Sequence, residues 1–409
     1  MAELRPGTGF QNLYGPEESD FRRRIKEVSA QWDAVAVNKW EQAGHIPREC
    51  FETLGKEGFF HERWAEGRKP GLLLALVLSE TLAMVSAGLG LAVTLHSEVF
   101  LGVLSRAARD DEQRALMQAG LRGEAIGCFA VTEATGGSDL AAVNTTARRT
   151  KAGWHIHGEK RYVSNGGRAT HALVLAQMDG YVNRNALTLF IVPLRDPGVT
   201  IPGFFPKLGT NSCDAAHIVF DGEFSESTQL GPPGGGMLLL MEALQYERMA
   251  VSAQLVAVAQ ASLRLAAAWA RKRQQFGTRL LALQAIRHRL ADVWAETLAV
   301  EALLALTVRS AIEGTDVGRA TAALKLRCAA VAQKAVDEAM QILGGRGYTA
   351  NFPLEGWYRD VRLARIGAGT DEVMRELIAA DLDSSDMHYD KWLGILIQED
   401  RAWIKEDRA

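Results

Sequence analysis

Three short segments of this 409-residue chain hold residue types suited to a polar heterocycle, a phosphate or an oxyanion. The first, Phe129-Ala-Val-Thr-Glu-Ala-Thr-Gly-Gly-Ser-Asp139, reads as a strand running into a glycine turn. If Cys128, Ala130 and Thr132 share one strand face, that face ends in a hydroxyl, beside a loop rich in free backbone N–H groups. Taken alone, the segment is first of all a plain strand-to-turn exit. The second, Gln341-Ile-Leu-Gly-Gly-Arg-Gly-Tyr348, carries glycines but no dinucleotide fingerprint, because a helix precedes it where a Rossmann turn needs a strand. It reads either as a glycine helix stop or as backbone approaching a phosphate closely. In the third, Ile366-Gly-Ala-Gly-Thr-Asp-Glu-Val373, Thr370 has the place of a helix N-cap, and Asp371 and Glu372 complement the dipole of the helix that follows. Its glycines leave N–H groups accessible at a positive helix end, where negative charge is stabilised.

A fourth candidate is a single carboxylate. Glu247 falls in a long helical pattern, with Ala243, Leu244, Ala250 and Val251 on its face three and four residues away. Apolar neighbours desolvate a carboxylate and raise its pKa toward neutrality, as a general base requires. Leu240 extends the face on one side and the polar Gln254 on the other. Glu242 lies about 140° round the helix and is a poorer candidate. On an isolated helix, the competing reading of Glu247 is a surface glutamate near the N-terminus.

The elements that must position these residues follow one another in three textures. Residues 17–125 are patterned as helices, including one expected to open at Pro47. Residues 125–230 break into strand-like runs at 126–132, 154–164, 171–177, 186–194 and 215–222, with no helix between them, so an antiparallel sheet or barrel is expected. Long Ala- and Leu-rich helices return at about 237–273, 283–313, 318–343 and 371–382, as in a bundle. With 46 Lys plus Arg against 49 Asp plus Glu, nothing global draws the chain to nucleic acid or an anionic membrane. Cys50, Cys128, Cys213 and Cys328 are dispersed, so neither a disulfide framework nor structural zinc is expected, and a cytoplasmic location is. The first 25 residues lack an apolar signal core, and the apolar stretch 71–95 reads as a buried helix pair. His155 and His157 alternate on a strand without a third ligand, so no metal site is expected. His96 reads as a satisfied, partly buried histidine.

Together the segments resemble the acyl-CoA dehydrogenase family. Val131-Thr-Glu-x-x-Gly-Gly-Ser-Asp139, Arg273-x-x-Phe-Gly277 and Gln341-x-x-Gly-Gly-x-Gly-Tyr348 fall in register with the family signatures, and the resemblance covers about 17–385. It implies an α+β fold: an N-terminal helical domain (1–125), a middle antiparallel β-barrel or sheet domain (126–235), a C-terminal four-helix bundle (236–385) and a charged tail (386–409). It also implies an FAD enzyme that removes an α-proton from an acyl thioester, usually acyl-CoA, with β-hydride transfer to flavin N5, giving the trans-2-enoyl thioester. Thr132 and Ser138 then line the flavin and thioester site. Tyr162 and Ser164 stand where the family usually has Trp and Thr beside the flavin ring. Arg273, Phe276, Gln284, Gln341 and Gly345 match positions that bind the FAD of a neighbouring subunit, which implies an oligomer, usually a homotetramer. Thr370 and Glu372 match further FAD contacts, Ser138, Arg248 and Gly369 match substrate contacts, and an electron-transfer flavoprotein is the implied acceptor.

One departure bears on mechanism. Most members carry the catalytic glutamate in Glu-Gly-Thr, whereas this chain has Ala368-Gly369-Thr370. A minority, resembling isovaleryl-CoA and long-chain acyl-CoA dehydrogenases, hold the base in a Glu-Arg pair on the first long C-terminal helix. Tyr246-Glu247-Arg248 is similar to that pattern, so Glu247 is the expected base. The backbone N–H of Ala368 remains to stabilise the thioester oxygen, in the manner of an oxyanion hole. Asn211 stands where many relatives have Arg in a Lys-x-Gly-x-Arg loop, which motivates a carrier-protein thioester as the alternative substrate. A non-dehydrogenating, nucleic-acid-binding branch of the same fold is a further alternative, against which the charge and Glu247 both speak.

Overall fold

A computed structural model of the chain describes residues 14–64, 71–181 and 187–380, with 394, 395 and 397 beyond them. The tail expected from 386 thus lies almost wholly outside the described residues. The N-terminal helices are α1 (Pro16–Ser29), α2 (Ala34–Ala43), α3 (Glu49–Lys56), α4 (Phe59–Trp64), α5 (Leu72–Ala83), α6 (Ala87–Thr94), α7 (Gly102–Ala107) and α8 (Asp111–Leu121). Pro16 opens α1 at a position whose N–H needs no partner, and Glu17 and Glu18 suit its positive end. The helix expected to open at Pro47 is α3, and the structure adds α2 before that turn. Asp33 caps the N–H groups of Val35 and Ala36, and Gly44 stops the helix at φ +77°.

α5 and α6 are the helix pair expected in 71–95, apolar all round and enclosed by protein. By length and composition Ala87–Ala107 and Gly236–Lys272 could cross a membrane, yet 89% and 67% of their most apolar windows are buried within the fold. After α6 comes a π-helical turn, Leu95–Leu101, buried at every residue. There His96 donates to Gly120 O (3.1 Å) through Nε2 and accepts the Gly127 N–H (3.3 Å) at Nδ1. Complete burial lowers its pKa to about 4, so a neutral imidazole ties the helices to the first strand.

The middle strands are β1 (Gly127–Ala130), β2 (Thr146–Arg149), β3 (Trp154–Ser164), β4 (His171–Met178), β5 (Leu187–Pro193), β6 (Val199–Phe204), β7 (Ala215–Phe224) and β8 (Gln229–Leu230). They form one sheet in the order β6-β7-β3-β2-β4-β5-β8, with β1 also on β4. The apolar runs are β1, β3, β4, β5 and β7; the short β2, β6 and β8 have no such run to announce them. The sheet is antiparallel as expected, except that β1 and β2 both run parallel to β4. The chain leaves β4's edge after β1 and returns to the same edge as β2, so both stems keep one direction.

The C-terminal helices are α9 (Gly236–Lys272), α10 (Gln284–Ile312), α11 (Gly318–Leu343), α12 (Gly345–Tyr348), α13 (Leu354–Val361) and α14 (Asp371–Ala379). The four long patterns fall on α9, α10, α11 and α14, and the short α12 and α13 are additional. Small and branched residues such as Ala250, Ala259, Leu304, Leu324 and Ala332 fill their common core. Leu240, Ala243 and Leu244 of α9 belong instead to the N-terminal core, so α9 serves both.

Candidate active site

Glu247 is 4% exposed, and its Oε2 has no hydrogen-bond partner. Loss of water pushes its pKa up to about 7, against the opposing pull of Arg248 and Lys325. Those two cations also shape the turn opposite. Arg248 Nε donates to Ala368 O (2.9 Å), and Lys325 Nζ donates to Gly369 O. Ala368 and Gly369 have φ +55° and +98°. At φ +98° any L side chain at Gly369 would be strained, which is why glycine suits the position. Thr370 accepts the Val373 N–H (3.3 Å) as the N-cap of α14, and buried Asp371 holds Arg365 at 2.7 Å. An unpaired buried carboxylate with a near-neutral pKa, beside a backbone turn held rigid by two cations, can take a proton where negative charge develops.

Lys325 is a member of this cluster that sequence reasoning missed. A lysine in an Ala-rich helix ordinarily reads as solvated, and its complete burial arises only because α11 packs on α9 and α14. Glu242 faces elsewhere, pairing with Arg106 at 3.3 Å with its side chain 45% exposed.

A second group lies on the sheet. Thr132 is half-buried, its carbonyl accepting the Arg161 N–H (2.8 Å), and Ser138 is exposed in the glycine loop. β3 bulges between Lys160 and Val163. At the bulge Tyr162 has φ +57° and turns its ring outward against Phe205, centroids 4.4 Å apart. Ser164 ends the strand, half-buried.

A third group is on the surface. Arg273 ends α9, and Phe276 tips the hairpin of Gln274–Gln275 and Thr278–Arg279 at φ +54°, 93% exposed. Gln284 begins α10; Gln341 and Gly345 are exposed at the end of α11, and Glu372 is exposed in the first turn of α14. Arg273 and Gly345 face an open groove of about 700 Å³ with Trp269, Gly344 and Arg346. A Cβ at Gly344 or Gly345 would meet nothing within 4 Å. Arg273 is about 39 Å from Glu247 along α9, at 1.5 Å per residue. The structure therefore does not bring the groove residues to the carboxylate of their own chain. The donor set fits a flavin dinucleotide: an aromatic face at Tyr162, hydroxyls at Thr132 and Ser164, and a guanidinium facing an open groove.

Family models for the acyl-CoA dehydrogenase N-terminal, middle and C-terminal domains match residues 15–124, 128–222 and 234–382. An acyl-[acyl-carrier-protein] dehydrogenase, MbtN of Mycobacterium sp. (strain MCS), is 33% identical over 370 residues, 88% of this chain and 91% of the relative. The human mitochondrial short-chain specific acyl-CoA dehydrogenase is 31% identical over 370 residues, 88% of this chain and 86% of its own. An acyl-CoA dehydrogenase structure from Geobacillus kaustophilus matches with a TM-score of 0.85 at 27% identity, covering 90% of this chain and 99% of that one.

Proposed function

Because the chain belongs to the acyl-CoA dehydrogenase family, whose members are FAD flavoenzymes, we propose that it desaturates the α,β bond of an acyl thioester with Glu247 as base. The observation that carries this reading is the unpartnered Oε2 of a buried Glu247 beside the pinned 368–370 turn. FAD, when bound, supplies the hydride acceptor. Ionised Glu247 removes the α-proton, and the Ala368 N–H donates to the thioester oxygen as charge builds there. Arg248 and Lys325 keep that turn in place, and Ser138, Arg248 and Gly369 contact the thioester. Thr132, Ser138, Tyr162 and Ser164 hold the flavin side of the cofactor, with Thr370 and Glu372 nearby.

Arg273, Phe276, Gln284, Gln341 and Gly345 serve the cofactor of an adjacent copy, because their own Glu247 is too distant. That arrangement needs at least a second copy, and the family resemblance makes the assembly a homotetramer. Electrons then pass to an electron-transfer flavoprotein. Similarity to MbtN supports a carrier-protein thioester as a second reading, alongside Asn211 in the loop that Lys207 and Thr210 brace through Cys213 O and Asp360. The test is anaerobic mixing of the holoenzyme with CoA and carrier-protein thioesters of the same acyl chains. Flavin bleaching by either supports the reaction, and the faster carrier identifies the substrate. No bleaching by any thioester, from a flavin that dithionite still reduces, would sink the proposal.

A further inference from the structure

The loop between β1 and β2 carries Thr132 and Ser138, and both of its stems rest on β4. β1 pairs with residues 171–174 and β2 with 177–178. In the gap between them Leu175 O accepts from the ammonium of Lys160, at 2.7 Å. Lys160 is fully buried and also donates to Val131 O (3.2 Å) and Glu133 Oε1 (2.7 Å), so three N–H groups meet three acceptors. Glu133 Oε1 further accepts Thr145 N (2.9 Å) and Thr145 Oγ1 (2.6 Å), and Oε2 accepts Asn144 N (2.6 Å). One carboxylate closes the neck of the loop, and one ammonium hangs that neck on the sheet. Lys160 is also the last residue in register before the bulge that turns Tyr162 outward. Burial lowers the Lys160 pKa to about 8; it also pulls Glu133 up, but Lys160 and the loop donors bring that carboxyl below its usual range.

We infer that Glu133 and Lys160 are positioning residues for the flavin, a buried ionic latch that sets the spacing between the 132–138 loop and strand residues 162–164. The inference rests on assigning those two segments to the cofactor. It separates from a merely structural ion pair because a buried pair replaced by apolar residues can keep the fold, whereas loss of one partner strands the other. Glu133→Leu combined with Lys160→Met should therefore melt above either single variant, while leaving the Asn144 and Thr145 N–H groups unanchored. Its FAD affinity, titrated into deflavinated protein, should fall by about tenfold, the scale seen when a site's supporting shell is loosened. The visible band of its bound flavin should also shift. Thr145→Val, which deletes one donor to Glu133, should weaken FAD by roughly threefold, the worth of a single hydrogen bond. A double variant with wild-type affinity and spectrum overturns the latch. If that variant does not fold, Thr145→Val with unchanged affinity overturns it alone. Tyr162→Ala, run alongside, tests the site assignment itself: unchanged FAD binding there would sink the assignment whatever the latch variants do.

Discussion

The Glu247 cluster and the Arg273 groove are built from the same C-terminal helices, yet one is enclosed by the fold and the other lies open. Glu247 is 4% exposed, its pKa is set by burial, and the turn beside it is fixed by Arg248 and Lys325. Phe276, by contrast, is 93% exposed, and the glycines lining the groove face open space. Reactivity is tuned where water is excluded, and one chain's bundle excludes it. The groove offers recognition groups without enclosure, as half of a clamp would.

The largest effect should come from the interior. Glu247→Gln should keep the fold and FAD but slow flavin reduction by about two to four orders of magnitude, the usual scale for removing a general base. Glu242→Gln should change little, because that side chain points outward to Arg106. Single-turnover bleaching measures both, and a wild-type rate in Glu247→Gln would move the base elsewhere. Adding Ala368→Glu should recover only part of the rate, since position 368 sits at φ +55°, which a bulky side chain resists. The groove should respond in the opposite manner. Arg273→Ala or Phe276→Ala should leave subunit stability within about 0.5 kcal/mol, but weaken FAD by about tenfold and shift light scattering toward smaller assemblies. Stable tetramers with full FAD would break the contrast.

A smaller effect concerns pH. Glu247 must be ionised to accept a proton, so the reduction rate should fall as pH drops below about 7. Lys325 pulls that pKa down, so Lys325→Met should move the acid limb to higher pH, read from stopped-flow traces across a pH series. The smallest effect belongs to the cap. Thr370→Ala should cost about 1 kcal/mol in thermal melts, by freeing the Val373 N–H.

Glu247 was legible because its neighbours at three and four residues are all apolar and because Ala368 and the Glu-Arg register single it out, whereas on an isolated helix it reads first as a surface glutamate. Thr370 was equally legible, since a cap and its helix are local. Lys325 and the Glu133–Lys160 pair were not. Each is a charge whose partner lies far along the chain, and a lone lysine in a helix or strand gives no sign that the fold will enclose it. The α–β–α order was plain from periodicity, but the parallel pairing of β1 and β2 on β4 was not, because alternation marks a strand and says nothing of its direction. α2 was hidden by the turn after it, although Asp33 and Gly44 are its signals.

Those two parallel stems also order the birth of the molecule. β1, the glycine loop and β2 are all synthesised before β4, the strand on which both stems rest. The hairpin of β2 with β3 can close early, since its partners are adjacent in sequence. At about 5–20 residues per second, the loop waits several seconds for its floor, with Glu133 and Lys160 already joined to the chain but Leu175 still absent. A nascent chain arrested short of Met178 can hold every residue of the first signature and still be unable to fold it.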